Sequence, residues 1–310
     1  MRAKAIGFLG TRNSTVENIT GMYIMGNTVN VTPASASLDG AWRESNGITI
    51  ENCISLYSCE DGFDLMAGCW KCLISNCYAY ASLAACYEEA GWSTQDVAGN
   101  IITNCIARLN GEAGVGFIVS GHKTILKDSC VYCNGPVNKR GVGVNVQGNY
   151  VVVDNVECYN IPSRALYIYP AVANCTVQNC TFIGCGKRGS AYYGSFIYEF
   201  VMYAIGASNK TINNLTIQNN QIFLPDPEDY TLDANAEVLL FNFNFVNNLI
   251  FRGNHVVTAW SKRNYTGLIG ANVAEGYIVD NIITSQISIS STATNIIYKN
   301  NIINGAYQPS

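Results

Sequence analysis

The chain has 310 residues, of which 48% are hydrophobic and only 13% charged, with a formal net charge of −4. That balance suits a long continuous core and carries no basic stripe of the kind that nucleic-acid binding requires. No apolar run reaches membrane-span length, and the start, Met1-Arg2-Ala3-Lys4, lacks the apolar stretch of a signal peptide.

Along the chain a two-residue step recurs. It reads Asn52-Cys53, Asn76-Cys77, Asn104-Cys105, Ser129-Cys130, Asn155-Val156, Asn179-Cys180, Asn219-Asn220, Gly253-Asn254, Asp280-Asn281 and Asn300-Asn301, with a weaker copy at Asn18-Ile19. Most intervals are 20 to 28 residues, with 40 and 34 across the third quarter. A period of this size marks a solenoid of stacked coils. Before each step an apolar residue is followed by a polar one, as in Ile50-Glu51, Ile74-Ser75, Ile102-Thr103 and Val153-Asp154, which predicts a strand with one buried face. Lys127 interrupts the inner column, so a bulge or register slip is expected there. The Asn is expected at a tight corner, because Asn tolerates left-handed backbone angles, and stacked corners would set the amides in a ladder. Three residues before the corner, Leu73, Ile101, Leu126 and Val152 form an outward apolar column that should be covered by a loop or a neighbouring subunit.

About 13 residues before each step a second strand is predicted. Its copies begin Gly62-Phe63-Asp64-Leu65, Gly91-Trp92-Ser93-Thr94, Gly116-Phe117-Ile118-Val119, Gly143-Val144-Asn145-Val146 and Ala165-Leu166-Tyr167-Ile168. Phe63, Trp92, Phe117, Val144 and Leu166 are expected to point inward, and Asp64, Ser93, Ile118, Asn145 and Tyr167 outward. With these strands and corners the sequence resembles the pectate-lyase-like β-helix superfamily over residues 5–304. The resemblance implies an all-β fold: a single-stranded right-handed parallel β-helix of about ten coils, one domain over 1–310. Two loop insertions, 186–213 and 224–247, are placed to wall a groove. Neither end carries a recognisable cap, so a capping domain or an oligomer is expected to cover the open edges.

Thirteen cysteines, five of them in one inward column, are expected to be free packing residues. The pairs Cys69/Cys72 and Cys130/Cys133 imitate zinc spacing. They fall at different phases two coils apart, roughly 10 Å, too far for zinc–sulfur bonds of about 2.3 Å. His122 and His255 are too distant in coil count to act together.

The densest acidic run is Glu60-Asp61-Gly62-Phe63-Asp64-Leu65, and the next coil carries Glu88 and Glu89. Stacking is expected to bring Asp61 beside Glu89. Oxygen ligands in such a cluster suit calcium, and paired carboxylates suit glycoside hydrolysis. The run resembles the calcium-binding segment of family 9 polysaccharide lyases, which implies calcium at Glu60, Asp61 and Asp64. That family's lysine base falls at Ile118, which takes no proton, so Lys123, Lys139 or Arg140 would have to substitute. A further resemblance, to phage tailspikes, implies catalytic carboxylates on the helix flank, here Asp61, Asp64 and Glu88 or Glu89, and a trimeric assembly. Trp92, Asn145 and Tyr167 are the expected sugar contacts. The expected function is a polysaccharide-processing enzyme, extracellular or virion-associated and without an organic cofactor, acting by calcium-assisted β-elimination or carboxylate hydrolysis. The alternative is a non-catalytic glycan-binding or structural shaft.

Overall fold

The computed structural model describes residues 4–33, 44–66, 68–90, 97–110, 114–134, 141–186, 199–224, 238–258, 265–270, 272–303 and 306–308. Among the described residues the coils contribute one strand each to an 11-stranded sheet, in line with the solenoid of about ten coils expected. The remaining faces form a 21-stranded sheet, which is continuous because strands such as Ile125–Cys133 and Val152–Tyr159 run through the corner that separates them. A short 3-stranded sheet lies between. Neighbouring coils pair in parallel, residue against residue, as Ile50↔Ile74↔Ile102 shows. The long intervals of the third quarter are resolved in the same way. The strands Glu199–Ile205 and Val238–Asn244 pair with each other and continue the 11-stranded sheet.

The corner residues explain the repeat. Asn18, Asn52, Asn76, Asn104, Asp128, Asn155, Asn179, Asn219, Gly253, Asp280 and Asn300 all have left-handed backbones, with φ from 50° to 64°. Asn, Asp and Gly are the residues that accept this region at least cost. The fourth copy is therefore Asp128-Ser129, one residue earlier than the Ser129-Cys130 expected. Leu126 then pairs with Ile102 in the inner column and is fully buried, while Lys127 points out. No bulge is needed, and Ile125, not Leu126, continues the outer apolar column of Leu73, Ile101 and Val152. All four of these side chains are half-buried.

The slot after each corner points into the core. It holds Cys53, Cys77, Cys105, Ser129, Val156 and Cys180, then Asn220, Asn254, Asn281 and Asn301, and all ten are buried. The thiols donate to the carbonyl two residues back, as in Cys77 Sγ to Ser75 O at 3.1 Å. The asparagines replace this by an interior ladder. Asn220 Nδ2 donates to Asn254 Oδ1 at 3.0 Å, Asn254 Nδ2 to Asn281 Oδ1 at 3.1 Å, and Asn281 Nδ2 to Asn301 Oδ1 at 2.9 Å. The same oxygens accept backbone N–H groups, so every rung is saturated. The amide ladder thus lies one residue past the expected place. At the corner itself the partners are mixed, for example Asn155 Nδ2 to Asp128 Oδ1 at 2.9 Å. All described cysteines are free thiols, and burial pushes the Cys180 thiol up to about 12. After the last parallel rung, the strand Ala306–Gln308 folds back antiparallel on Asn301–Ile303, where no covering element was expected. Among the described residues no helix is long and apolar enough to cross a membrane.

Candidate functional site

Each strand of the 11-stranded sheet turns alternate side chains outward, and one of them per coil stacks in register on the next. Its register gives the column Asn30, Asp64, Glu88, Ile118, Asn145, Tyr167, Tyr203 and Asn242. At about 4.8 Å per step these eight rungs span roughly 34 Å. Beneath them the inward residues pack as an aromatic stack. Phe63, Tyr87 and Phe117 are fully buried, with ring centroids 5.2 and 4.7 Å apart. The partner of Phe63 is therefore Tyr87 and not Trp92, because the strand of this coil is Ala85–Ala90. Trp92 and Ser93 lie outside the described residues, as do Lys139 and Arg140.

The shifted strand redistributes the acidic residues. Asp64 is in direct register with Glu88, and both belong to the outward column. Glu89 pairs with Leu65 on the inward side and is fully buried. Its carboxylate accepts Asn100 Nδ2 at 3.0 Å, Thr124 Oγ1 at 3.0 Å and Gly121 N at 3.1 Å. The expected neighbours Asp61 and Glu89 are thus on different sides of the sheet wall. Glu89 ties its own coil to the next one inside the core and is unavailable to a ligand in the groove.

Asp61 stands at the head of the strand Phe63–Met66, and its Oδ1 accepts Ala85 N at 2.9 Å. It also bonds the Glu88 side chain, which tends to lower the Glu88 pKa, while partial burial raises it more strongly. Asp64 is 4% exposed and forms the floor of the site. Its Oδ2 accepts Asn27 Nδ2 at 2.6 Å and also Asn30 Nδ2, and Lys4 Nζ donates to Asn30 Oδ1. Its Oδ1 is buried and has no hydrogen-bond partner among the described residues. Burial, reinforced by the Asp61 charge, pushes the Asp64 carboxyl up to about 7, against the pull of the two amides and Lys4. Burial thus favours the protonated form of Asp64, with one oxygen held by amides and the other left to carry the proton. The sequence offered no signal for Asn27 and Asn30, which reach Asp64 from the preceding coil.

Other expected residues separate. Lys123 has a left-handed backbone at a different corner, exposed and away from the 11-stranded sheet. Ile118 follows Glu88 in the column, so no base stands on the rung where the lyase resemblance places one. Asn145 and Tyr167 are on the column as expected, two and three rungs beyond Glu88. Asn145 is buried, and among the described residues its Oδ1 has no hydrogen-bond partner, nor has the buried Asn242 Oδ1 further along. Tyr167 meets Tyr203 edge-on at 5.4 Å, and the Arg164 guanidinium lies over both rings, at 4.6 and 4.3 Å from their centres. Among the described residues, no group of three or more His, Cys, Asp or Glu side chains is gathered so as to hold a metal ion.

No protein-family model and no curated protein sequence matches the chain. Among solved structures it is similar to DFA-IIIase from Arthrobacter chlorophenolicus A6 in complex with GF2, with a TM-score of 0.60 and 12% identity over 87% of this chain and 64% of that one. It is also similar to the tailspike protein of E. coli bacteriophage HK620 in complex with pentasaccharide, with a TM-score of 0.57 and 8% identity over 91% of this chain and 54% of that one. The chain spans less than two thirds of the length of either. Identities this low speak for the fold alone, and on that count the chain shares the right-handed parallel β-helix of both proteins.

Proposed function

We propose that the outward column of the 11-stranded sheet binds an oligosaccharide or polysaccharide lengthwise, and that Asp64 and Glu88 hydrolyse it. The observation that carries this reading is the register pairing of two carboxyl groups, one of them buried so that its protonated form is favoured. In hydrolysis, protonated Asp64 gives its proton to the glycosidic oxygen as the bond to the sugar carbon breaks. Glu88, as carboxylate, takes the proton of the attacking water or attacks the carbon itself. The distance between the two carboxyls in the bound complex selects inversion or retention.

β-Elimination has less support, because Ile118 occupies the rung next to Glu88. Calcium at Glu60, Asp61 and Asp64 is a separate proposal, and the mechanism above uses no metal. A glycan substrate of this kind is met outside cells or on a virion, which gives the protein an extracellular or virion-associated setting. Trimerisation or a capping domain is a separate proposal, checked by light scattering.

The test is an assay of wild type, Asp64→Asn and Glu88→Gln against a polysaccharide panel. New reducing ends without ultraviolet-absorbing unsaturated ends support hydrolysis. Unsaturated ends would instead establish a lyase. A second reading, glycan binding without cleavage in a shaft or adhesin, is favoured by the burial of Asp64. It predicts binding by wild type with no new ends of either kind.

A further inference from the structure

The far part of the column differs in character from the acidic part. Glu88 is separated from Tyr167 by the rungs of Ile118 and Asn145, an axial distance of roughly 14 Å at about 4.8 Å per step. There the half-buried Arg164 precedes the strand Leu166–Ile168 and lays its guanidinium over Tyr167 and Tyr203. Contact with the two rings holds the guanidinium in place, so its remaining N–H donors lose little freedom on binding a ligand. No ion pair ties Arg164 to a carboxylate among residues whose side chains are described. On the same column are two buried carbonyl oxygens without hydrogen-bond donors among the described residues, Asn145 Oδ1 one rung before Tyr167 and Asn242 Oδ1 one rung after Tyr203. Acceptors left bare in this way are satisfied by hydroxyl donors, and a flat fork of N–H donors is satisfied by a carboxylate.

Resting on the glycan reading above, we propose that Arg164 determines specificity by binding the carboxylate of an acidic sugar, a uronic or similar residue, about three rungs from the Asp64–Glu88 pair. Asn145 and Asn242 accept hydroxyls of the sugars on either side. The Glu88 carboxylate repels the same group, so the two ends of the column together fix the position of the glycan: anionic unit at Arg164, scissile bond at Asp64 and Glu88. Neutral sugars fill the intervening rungs over Ile118.

The experiment measures binding of acidic polysaccharides and their carboxyl-reduced counterparts to the full chain by calorimetry or array, using Asp64→Asn to prevent turnover. The inference expects the acidic form of at least one pair to bind roughly tenfold to a hundredfold tighter, the value of a hydrogen bond to a charged group. Arg164→Gln, added to Asp64→Asn, removes that preference and leaves binding of the reduced form unchanged. Arg164→Lys retains part of it. Unchanged melting temperature and circular dichroism show that the variants fold. If a glycan binds but its acidic and reduced forms bind equally, or Arg164→Gln leaves the preference intact, the inference is overturned and the glycan reading stands. If no polysaccharide of either form binds, the glycan reading fails and the inference falls with it.

Discussion

Asp64 and Glu88 sit opposite each other on adjacent strands, in register, although 24 residues separate them along the chain. Their proximity is created by coil stacking alone. Removing either carboxyl without changing its shape should therefore eliminate cleavage while sparing the groove. Asp64→Asn and Glu88→Gln are each expected to lower kcat by about two to four orders of magnitude, the range of general acid–base catalysis. Glycan binding should survive in both, measured by calorimetry alongside release of reducing ends.

The raised Asp64 pKa sets the pH profile. Since the acid form is the reactive one, the rate falls as pH rises through about 7, and Asp64→Asn lacks this limb. The same shift has a stability counterpart of definite sign. The folded Asp64 holds its proton to about pH 7, whereas the unfolded side chain releases it near its ordinary value of 3.8. The folded state therefore binds more protons between those values, and stability is lost as pH rises through that window. Asp64→Asn should flatten this loss, so that its melting temperature exceeds that of wild type at pH 8 and not at pH 4.

Glu89 should behave as a core residue. Glu89→Leu matches the apolar neighbour Leu65 in the inward column but orphans three donors, on Asn100, Gly121 and Thr124. Each orphan costs about 1–3 kcal/mol. Urea unfolding is expected to show a large loss of stability. Activity per folded molecule of Glu89→Gln, by contrast, stays near that of wild type.

The interior amide ladder should be cooperative. Asn254→Ala removes the acceptor of Asn220 N and Nδ2 and the donor to Ile217 O and Asn281 Oδ1. A loss of about 3 kcal/mol or more is expected by denaturant unfolding, from several orphaned groups at once. The double variant Asn254→Ala/Asn281→Ala should cost less than the sum of the single ones, because the partners are shared.

Metal removal is the remaining test. Hydrolysis through Asp64 and Glu88 should persist at full rate in a chelator, measured by reducing-end release. A rate restored by calcium alone would transfer the acidic corner of Glu60, Asp61 and Asp64 to a metal mechanism.

The solenoid was legible because one backbone demand recurs: a left-handed corner that Asn, Asp and Gly meet most readily. The same demand exposes where the reading slipped. Asp128 satisfies it as well as Asn does, but the Cys130 two residues later imitated the usual inner slot and drew the corner one residue too far. On the other sheet the glycine at Gly91 looked like a strand start. Coil lengths vary, and nothing in the chain says on which side of a strand the extra residues fall. The structure puts them after Ala90, so Tyr87 became the inward ring, Glu88 the groove residue and Glu89 the buried one. Asp64, Asn145 and Tyr167 fall on the outward column as expected, because alternation within their own strands suffices to place them. Asn27, Asn30, Arg164 and Tyr203 required knowing which coil lies on which.

The one-side-chain-per-turn wall has a consequence for how such a protein can change. Deleting a complete turn between Asp64 and Arg164 would shorten the interval between reaction centre and charge anchor by a fixed quantum while leaving both residues untouched. Specificity for the spacing of acidic units along a polymer is therefore adjustable in discrete increments, by gain or loss of whole turns, without redesign of the chemistry.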